Sequence, residues 1–163
     1  MQSEVKIEQN SISPETINEM VGTAMKIPSV AKGQPTQFVI LNDIETLSRA
    51  AEVVPLSPHT MSALAAIIVC GDLNRAEDKD KWMFDCEAAS QQLLQAAYTN
   101  GLGAYKSTIY PDRERMYGMT VMLDLPDHII AHSYVSLGYP VKAAGTDDSN
   151  SNDRVHYNGW VKK

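Results

Sequence analysis

Few residues in this chain stand at spacings that chemistry requires. Gly101-Leu102-Gly103 tempts a reading as a phosphate-cradling loop. Such a loop needs a strand before it, a helix after it and a third glycine. Here Lys106 occupies the third position and helix-type spacing precedes the stretch. The expectation is therefore a helix end, where glycine supplies the left-handed residue, followed by a strand. His59, His128, His132 and His156 lie apart. His128 and His132 fall in a segment of strand character, where residues four apart are not neighbours as they are on a helix. No metal site is expected from them. No serine sits in a Gly-x-Ser-x-Gly elbow. Neither Cys70 nor Cys86 has a base beside it in sequence, so no nucleophile is marked. Without CxxC spacing the two are expected to be buried free thiols of a reducing cytoplasm. Asp85 and Glu87 are expected on a solvated helix face, and the methionines mostly in helix stripes that fill the core. With no acid, base or nucleophile singled out, two classes stay open: a binding protein, or an enzyme whose chemistry a cofactor carries.

The elements that must position any site follow from periodicity and punctuation. Ser13-Pro14-Glu15 is a helix start: an N-cap, a proline at the first turn, and an acid at the positive end of the dipole. Ile17, Met20, Val21, Ala24 and Met25 form its apolar stripe. Pro28 ends it by Ile27. After a polar, irregular stretch, Phe38 to Leu41 reads as a strand. Asn42-Asp43-Ile44-Glu45 caps a short helix running to about Glu52. Ser57-Pro58 starts a further helical turn. Ala63 to Cys70 is a continuous apolar run, expected to be a buried central strand closed by Gly71. Trp82, Cys86, Ala89, Leu93 and Ala96 or Ala97 mark the longest helix, ended by Asn100-Gly101. Pro111-Asp112 opens another, with Met116, Met119 and Leu123 as its stripe and Leu125-Pro126 as its stop. Ile129 to Leu137 reads as a second core strand. Residues 143–153 form a polar linker of Gly, Thr, Asp, Ser and Asn, and residues 154–163 an arm carrying Val155, Tyr157 and Trp160.

Composition narrows the function classes. The chain has 163 residues, which suits one domain over 1–163; 44% are hydrophobic and 21% charged, as in an ordinary globular protein. Fourteen basic residues face 20 acidic ones, for a net charge of -6. That balance argues against nucleic acid and against anionic membrane surfaces as partners. The longest apolar run is far short of the roughly 18 residues that suggest a membrane span. The opening decapeptide, with Glu4 and Glu8, does not have the pattern of a secretory leader. A cytoplasmic location is expected.

In order along almost the whole chain, a series of short motifs resembles the nitroreductase family of FMN enzymes. The family stretch A-P-S-x-x-N-x-Q-P-W-x-F-x-x-V reads here I-P-S-V-A-K-G-Q-P-T-Q-F-V-I-L from Ile27. Ala66 to Gly71 matches the family's core strand. Trp82, Asp85, Ala88, Ala89 and Leu93 to Ala97 match W-x-x-D-x-x-A-A-x-x-N-x-L-L-x-A. Gly101 to Ala104, Ile109-Tyr110-Pro111, Arg115, Leu125-Pro126, Ser136 to Pro140 and Arg154 to Trp160 follow in sequence. No single piece is decisive; the series is specific.

This resemblance implies an α+β sandwich: a mostly antiparallel sheet flanked by helices, in a homodimer with the C-terminal arm reaching across the partner. It implies FMN at the subunit interface, NADH or NADPH as electron donor, and a nitroaromatic, quinone or similar small molecule as acceptor. Pro28, Ser29, Lys32 and Gln34 would approach the flavin ring, with Lys106, Ser107, Thr108 and Ile109 on its other side. Ser3 and Arg154 would meet the phosphate. The sequence departs from the family at its cationic anchors. The R-[RK]-S-x-R motif falls on Met1 to Val5, of which Ser3 remains, and Asp147, Asp148 and Asn150 stand where a later K-x-R pair is expected. Lys32 replaces the asparagine that meets the ring; a cation there would stabilise negative charge on the reduced flavin. The implied activity is an FMN-dependent NAD(P)H oxidoreductase. The alternative is a non-catalytic dimer of the same fold whose flavin site has decayed and which binds another small ligand or a protein.

Overall fold

In the computed structural model, residues 11–54, 63–140 and 152–160 are described. Helix α1 (Pro14–Met25) starts at Ser13, whose side chain accepts a hydrogen bond from the Thr16 amide. It buries Ile17, Met20, Val21 and Ala24. Met25 closes the expected stripe but is 53% exposed. At 100° per residue it lies about 80° round from Ile17, on the edge of the buried face. Strand β1 (Thr36–Leu41) begins two residues before the expected strand. Asp43 is the N-cap of α2 (Ile44–Val53) and takes the Thr46 amide.

Strand β2 (Ala65–Asp72) is buried along its whole length, as its unbroken apolar sequence requires. Gly71 does not close it. That glycine lies inside the strand beneath Trp82, and a Cβ there would come within 2.2 Å of the indole Cε3. Glycine is demanded here by a close approach, not by a turn. Helix α3 (Trp82–Thr99) follows and ends at Asn100, with Gly101 at φ +75°. Strand β3 (Gly103–Thr108) starts directly behind it. Asp112 caps α4 (Arg113–Leu123), which Asp124 terminates in the left-handed conformation. Strand β4 (Ile129–Gly138) is followed, after residues outside the described set, by a short 3-10 turn at Asn152–Arg154. The expected turn at Ser57-Pro58 and nearly all of the polar linker also lie outside the described residues. Tyr157 and Trp160 of the arm are 79% and 78% exposed, and Trp160 stacks on His156.

Among the described residues, four strands form one sheet in the order β1-β2-β4-β3, antiparallel throughout. Each face carries its own core. Ile67, Val69, Val135 and Leu137 pack under α1 and α3, and Ala66, Ile68 and Tyr134 under α2 and α4. Helices therefore cover both faces, and the α+β sandwich anticipated from the motifs is the fold found. The β2–β4 register jumps: Val69 pairs with Ser133 but Cys70 with Ala131. His132 is the extra residue of a β-bulge, a device that re-aims a side chain. Among the described residues, no helix is long and apolar enough to cross a membrane.

Candidate functional site

The loop between α1 and β1 is built around one buried carboxylate. Asp85, in the first turn of α3, accepts from Ser29 Oγ at 2.6 Å, from the Val30 amide at 2.6 Å and from the Ala31 amide at 3.1 Å. It is 6% exposed. The expectation of a solvated Asp85 is thus overturned: the loop brings it three donors, which offset the cost of burying a charge. The signal was present in the spacing, because Asp85 lies in phase with Trp82, Cys86 and Ala89, the stripe that faces inward.

Beyond Ala31 the backbone runs left-handed for three residues: Lys32 at φ +63°, Gly33 at +91° and Gln34 at +53°. Two of these are not glycine, and such conformations cost of order 1 kcal/mol or more each. The Glu77 amide donates to Lys32 O at 3.1 Å and the Asp78 amide to Ala31 O at 2.9 Å. Pro28, Ser29 and Gln34 line a shallow cleft with Ala24, Pro35 and Asp85. Lys32 is exposed on the same loop.

The second group of sequence-predicted residues is not part of this cleft. Along β3 the side chains alternate. Lys106 faces α3, where its Nζ meets Glu87 Oε1 at 3.0 Å. Ile109, just past the strand, is buried in the core under α2 and α4. By the same alternation Thr108 shares the side of Lys106, and Ser107 that of Ile109. Ser107 Oγ and Tyr134 Oη are buried without a hydrogen-bond partner. The four residues can share a ligand through their backbone, but not with all four side chains. Of the remaining two, Arg154 stands exposed in the 3-10 turn, and Ser3 lies outside the described residues.

His132 ties the end of β3 in place, a role its sequence context did not signal. Its carbonyl accepts from both the Ile109 and the Tyr110 amides at 3.1 Å. Its ring stacks on Tyr110 with centroids 5.7 Å apart and meets Trp82 edge-on at 5.9 Å. Burial pushes its pKa down to about 4; the Glu87 charge works against that shift and the Lys106 charge with it. His132 is therefore a neutral ring at ordinary pH. Burial would raise the Glu87 carboxyl, but hydrogen bonds from Lys106 and Gln91, helped by the Lys106 charge, hold it below its usual range. Helix α3 thus serves both groups of residues from its first two turns, Asp85 holding the α1–β1 loop and Glu87 holding Lys106.

Both thiols are inert by environment. Burial raises Cys70 to about 12 and pushes Cys86 further up. Neither pairs in a disulfide.

Comparison with known proteins places this geometry in a family. No family model matches the chain. A Methanothermobacter thermautotrophicus protein provisionally named NADH dehydrogenase/NAD(P)H nitroreductase is 34% identical over 155 residues, 95% of this chain and 81% of its own. An Archaeoglobus fulgidus protein of the same provisional name is 35% identical over 153 residues, covering 91% of this chain and 88% of its own. A crystal structure of a so-named protein from Parabacteroides distasonis superposes with a TM-score of 0.85 at 33% identity, over 93% of this chain and 89% of that one. An FMN-dependent nitroreductase from Clostridium difficile shares the fold, with a TM-score of 0.80 at 20% identity. With relatives this similar over nearly its full length, and with the motif series carried on the same sandwich, the chain belongs to the nitroreductase family.

Proposed function

We propose that the protein is an FMN-dependent NAD(P)H oxidoreductase that reduces nitroaromatic, quinone or similar small acceptors as a homodimer. When bound, FMN supplies a two-electron relay between the nicotinamide donor and the acceptor. The protein's share is binding, orientation and electrostatics. The observation that carries the reading is the α1–β1 loop. Asp85 holds Ser29 to Ala31, the next three residues run left-handed, and Lys32 is presented on a fixed platform.

The residues present suit the ring. Lys32 makes no ion pair with any described residue, so its charge is available to a ring that becomes negative on reduction. In this reading Pro28, Ser29, Lys32 and Gln34 approach the ring from one subunit, and the backbone from Lys106 to Ile109 meets it from the other. The phosphate would fall to Ser3 and Arg154. Lys106 is neutralised by Glu87, and Arg115 is spent on Thr108 O at 2.6 Å and on Asp112.

Titration of the purified protein with FMN, read by flavin fluorescence and the visible spectrum, tests the reading. Saturable binding, followed by FMN-dependent NADH or NADPH oxidation, supports it. No binding at high micromolar FMN overturns it in favour of a decayed site that takes another ligand. The engagement of Lys106 and Arg115 within the subunit is the observation that favours that second reading.

A further inference from the structure

The left-handed run at Lys32 to Gln34 is held from a second side, by residues that the motif series does not contain. The turn after β2 packs against it. Arg75 Nε donates to Gly33 O at 3.2 Å and to Gln34 O at 2.9 Å. The contact is so close that a Cβ on Gly33 would come within 2.0 Å of Arg75 O. The turn itself is rigidly framed. Asp72, 7% exposed, accepts from the Asn74 amide and from Gln37 Nε2, each at 3.0 Å. Its carbonyl accepts from the Arg75 and Ala76 amides, and its own amide donates to Pro35 O at 2.8 Å. Lys79 Nζ donates to Leu73 O and Ala76 O. The path runs from the end of a fully buried strand, through one guanidinium, to two consecutive carbonyls of strained backbone.

We propose that Arg75 is a positioning residue: by bridging Gly33 O and Gln34 O it keeps the left-handed run intact and thereby fixes where the Lys32 ammonium stands against the flavin. The proposal rests on the flavin reading given above. A planar guanidinium suits this task because its N–H groups are pre-oriented and always charged. Left-handed backbone at two non-glycine residues reverts to commoner conformations unless its surroundings over-determine it. Without Arg75 the 32–34 segment relaxes, and the backbone that carries Lys32 exchanges one fixed conformation for several. The negative charge that the ring gains on reduction then loses a fixed cation. Arg75 touches neither ring nor substrate in this arrangement; it acts through the loop.

Arg75→Gln and Arg75→Lys are the test variants, with two readouts. The first needs no flavin: cleavage of the native protein after Lys32 by a lysine-specific protease, mapped by mass spectrometry. Arg75→Gln is expected to be cut there at least tenfold faster than the parent, while Arg75→Lys, which keeps a charged donor, recovers part of the protection when the Lys32 bond is scored as an initial rate on chains not yet cut at the lysine introduced at position 75. The second is the midpoint potential of bound FMN. A tenfold loss of preference for the reduced form, about 30 mV for a two-electron couple, is expected in Arg75→Gln. Since Arg75 is exposed, unchanged urea unfolding serves as the control for a folded variant. Parent-like cleavage at Lys32 in folded Arg75→Gln overturns the proposal, and so does an unchanged potential in the flavin-loaded variant. Failure of the parent to bind FMN overturns the flavin reading instead, and the cleavage arm still decides the role of Arg75 in the loop.

Discussion

Replacing Asp85 by asparagine changes almost no volume and isolates the chemistry of the loop. In the parent, two carboxylate oxygens receive three donors, two of them backbone amides. In Asp85→Asn one oxygen remains. It can keep the Val30 amide, and Ser29 Oγ can rotate to accept from the new NH2 group. The Ala31 amide, on a fully buried residue, then faces a donor and is orphaned. An unsatisfied buried amide costs about 1–3 kcal/mol, and loss of charge assistance in the other two bonds adds about 1 kcal/mol. The expected loss of stability is therefore about 2–4 kcal/mol. Asp85→Ala, which removes all three bonds and leaves a void, is expected to lose more. Ser29→Ala, which breaks only the half-buried bond, should lose about 1 kcal/mol. Urea unfolding followed by tryptophan fluorescence measures all three, and hydrogen exchange should show the Val30 and Ala31 amides opening first in Asp85→Asn. An Asp85→Asn protein within about 0.5 kcal/mol of the parent, the ordinary scatter of surface changes, would refute the assignment of Asp85 as the loop's organising group.

Three further outcomes follow from the same geometry. His132 is neutral in the folded protein with a pKa near 4 but titrates near 6.5 when unfolded, so the unfolded chain binds the extra proton between those values. Stability is expected to fall as pH drops through that window, and His132→Gln should remove on the order of 3 kcal/mol of that fall, read from unfolding free energies in urea at a series of pH values; an unchanged pH dependence would show that His132 is not the group responsible. Cys70 and Cys86 should resist an aromatic disulfide reagent at mildly alkaline pH and both react in denaturant, because burial raises their pKa values; rapid native reaction of either contradicts the packing described. Gly71→Ala forces a methyl into the Trp82 ring, and should cost about 1–3 kcal/mol with a shift in tryptophan emission; a neutral substitution would mean that the indole moves freely there.

Local sequence determined much of this protein. Periodicity and capping residues placed the helices: Ser13 and Asp112 cap as their side-chain chemistry dictates, and Gly101 takes the left-handed position behind the longest helix. The unbroken apolar run at β2 announced a strand covered on both faces. The order of short motifs pointed to the family. These are properties of neighbours along the chain, where a side chain's preference and its environment are set within one or two turns. The tertiary structure alone decided which polar groups meet. Ser29 and Asp85 are 56 residues apart, and Arg75 lies 42 from Gly33; no local rule pairs them. A carboxylate on an inward stripe can be a solvated edge or a buried hub, depending on whether another segment delivers donors. Gly71 is a strand residue and not a stop because an indole that enters the sequence 11 residues later, Trp82, lies on it. His132 was set into the Trp82 and Tyr110 rings by a one-residue register jump between β2 and β4, which exists only once both strands are paired. Propensity is written residue by residue, but desolvation is settled by what the fold brings across the gap.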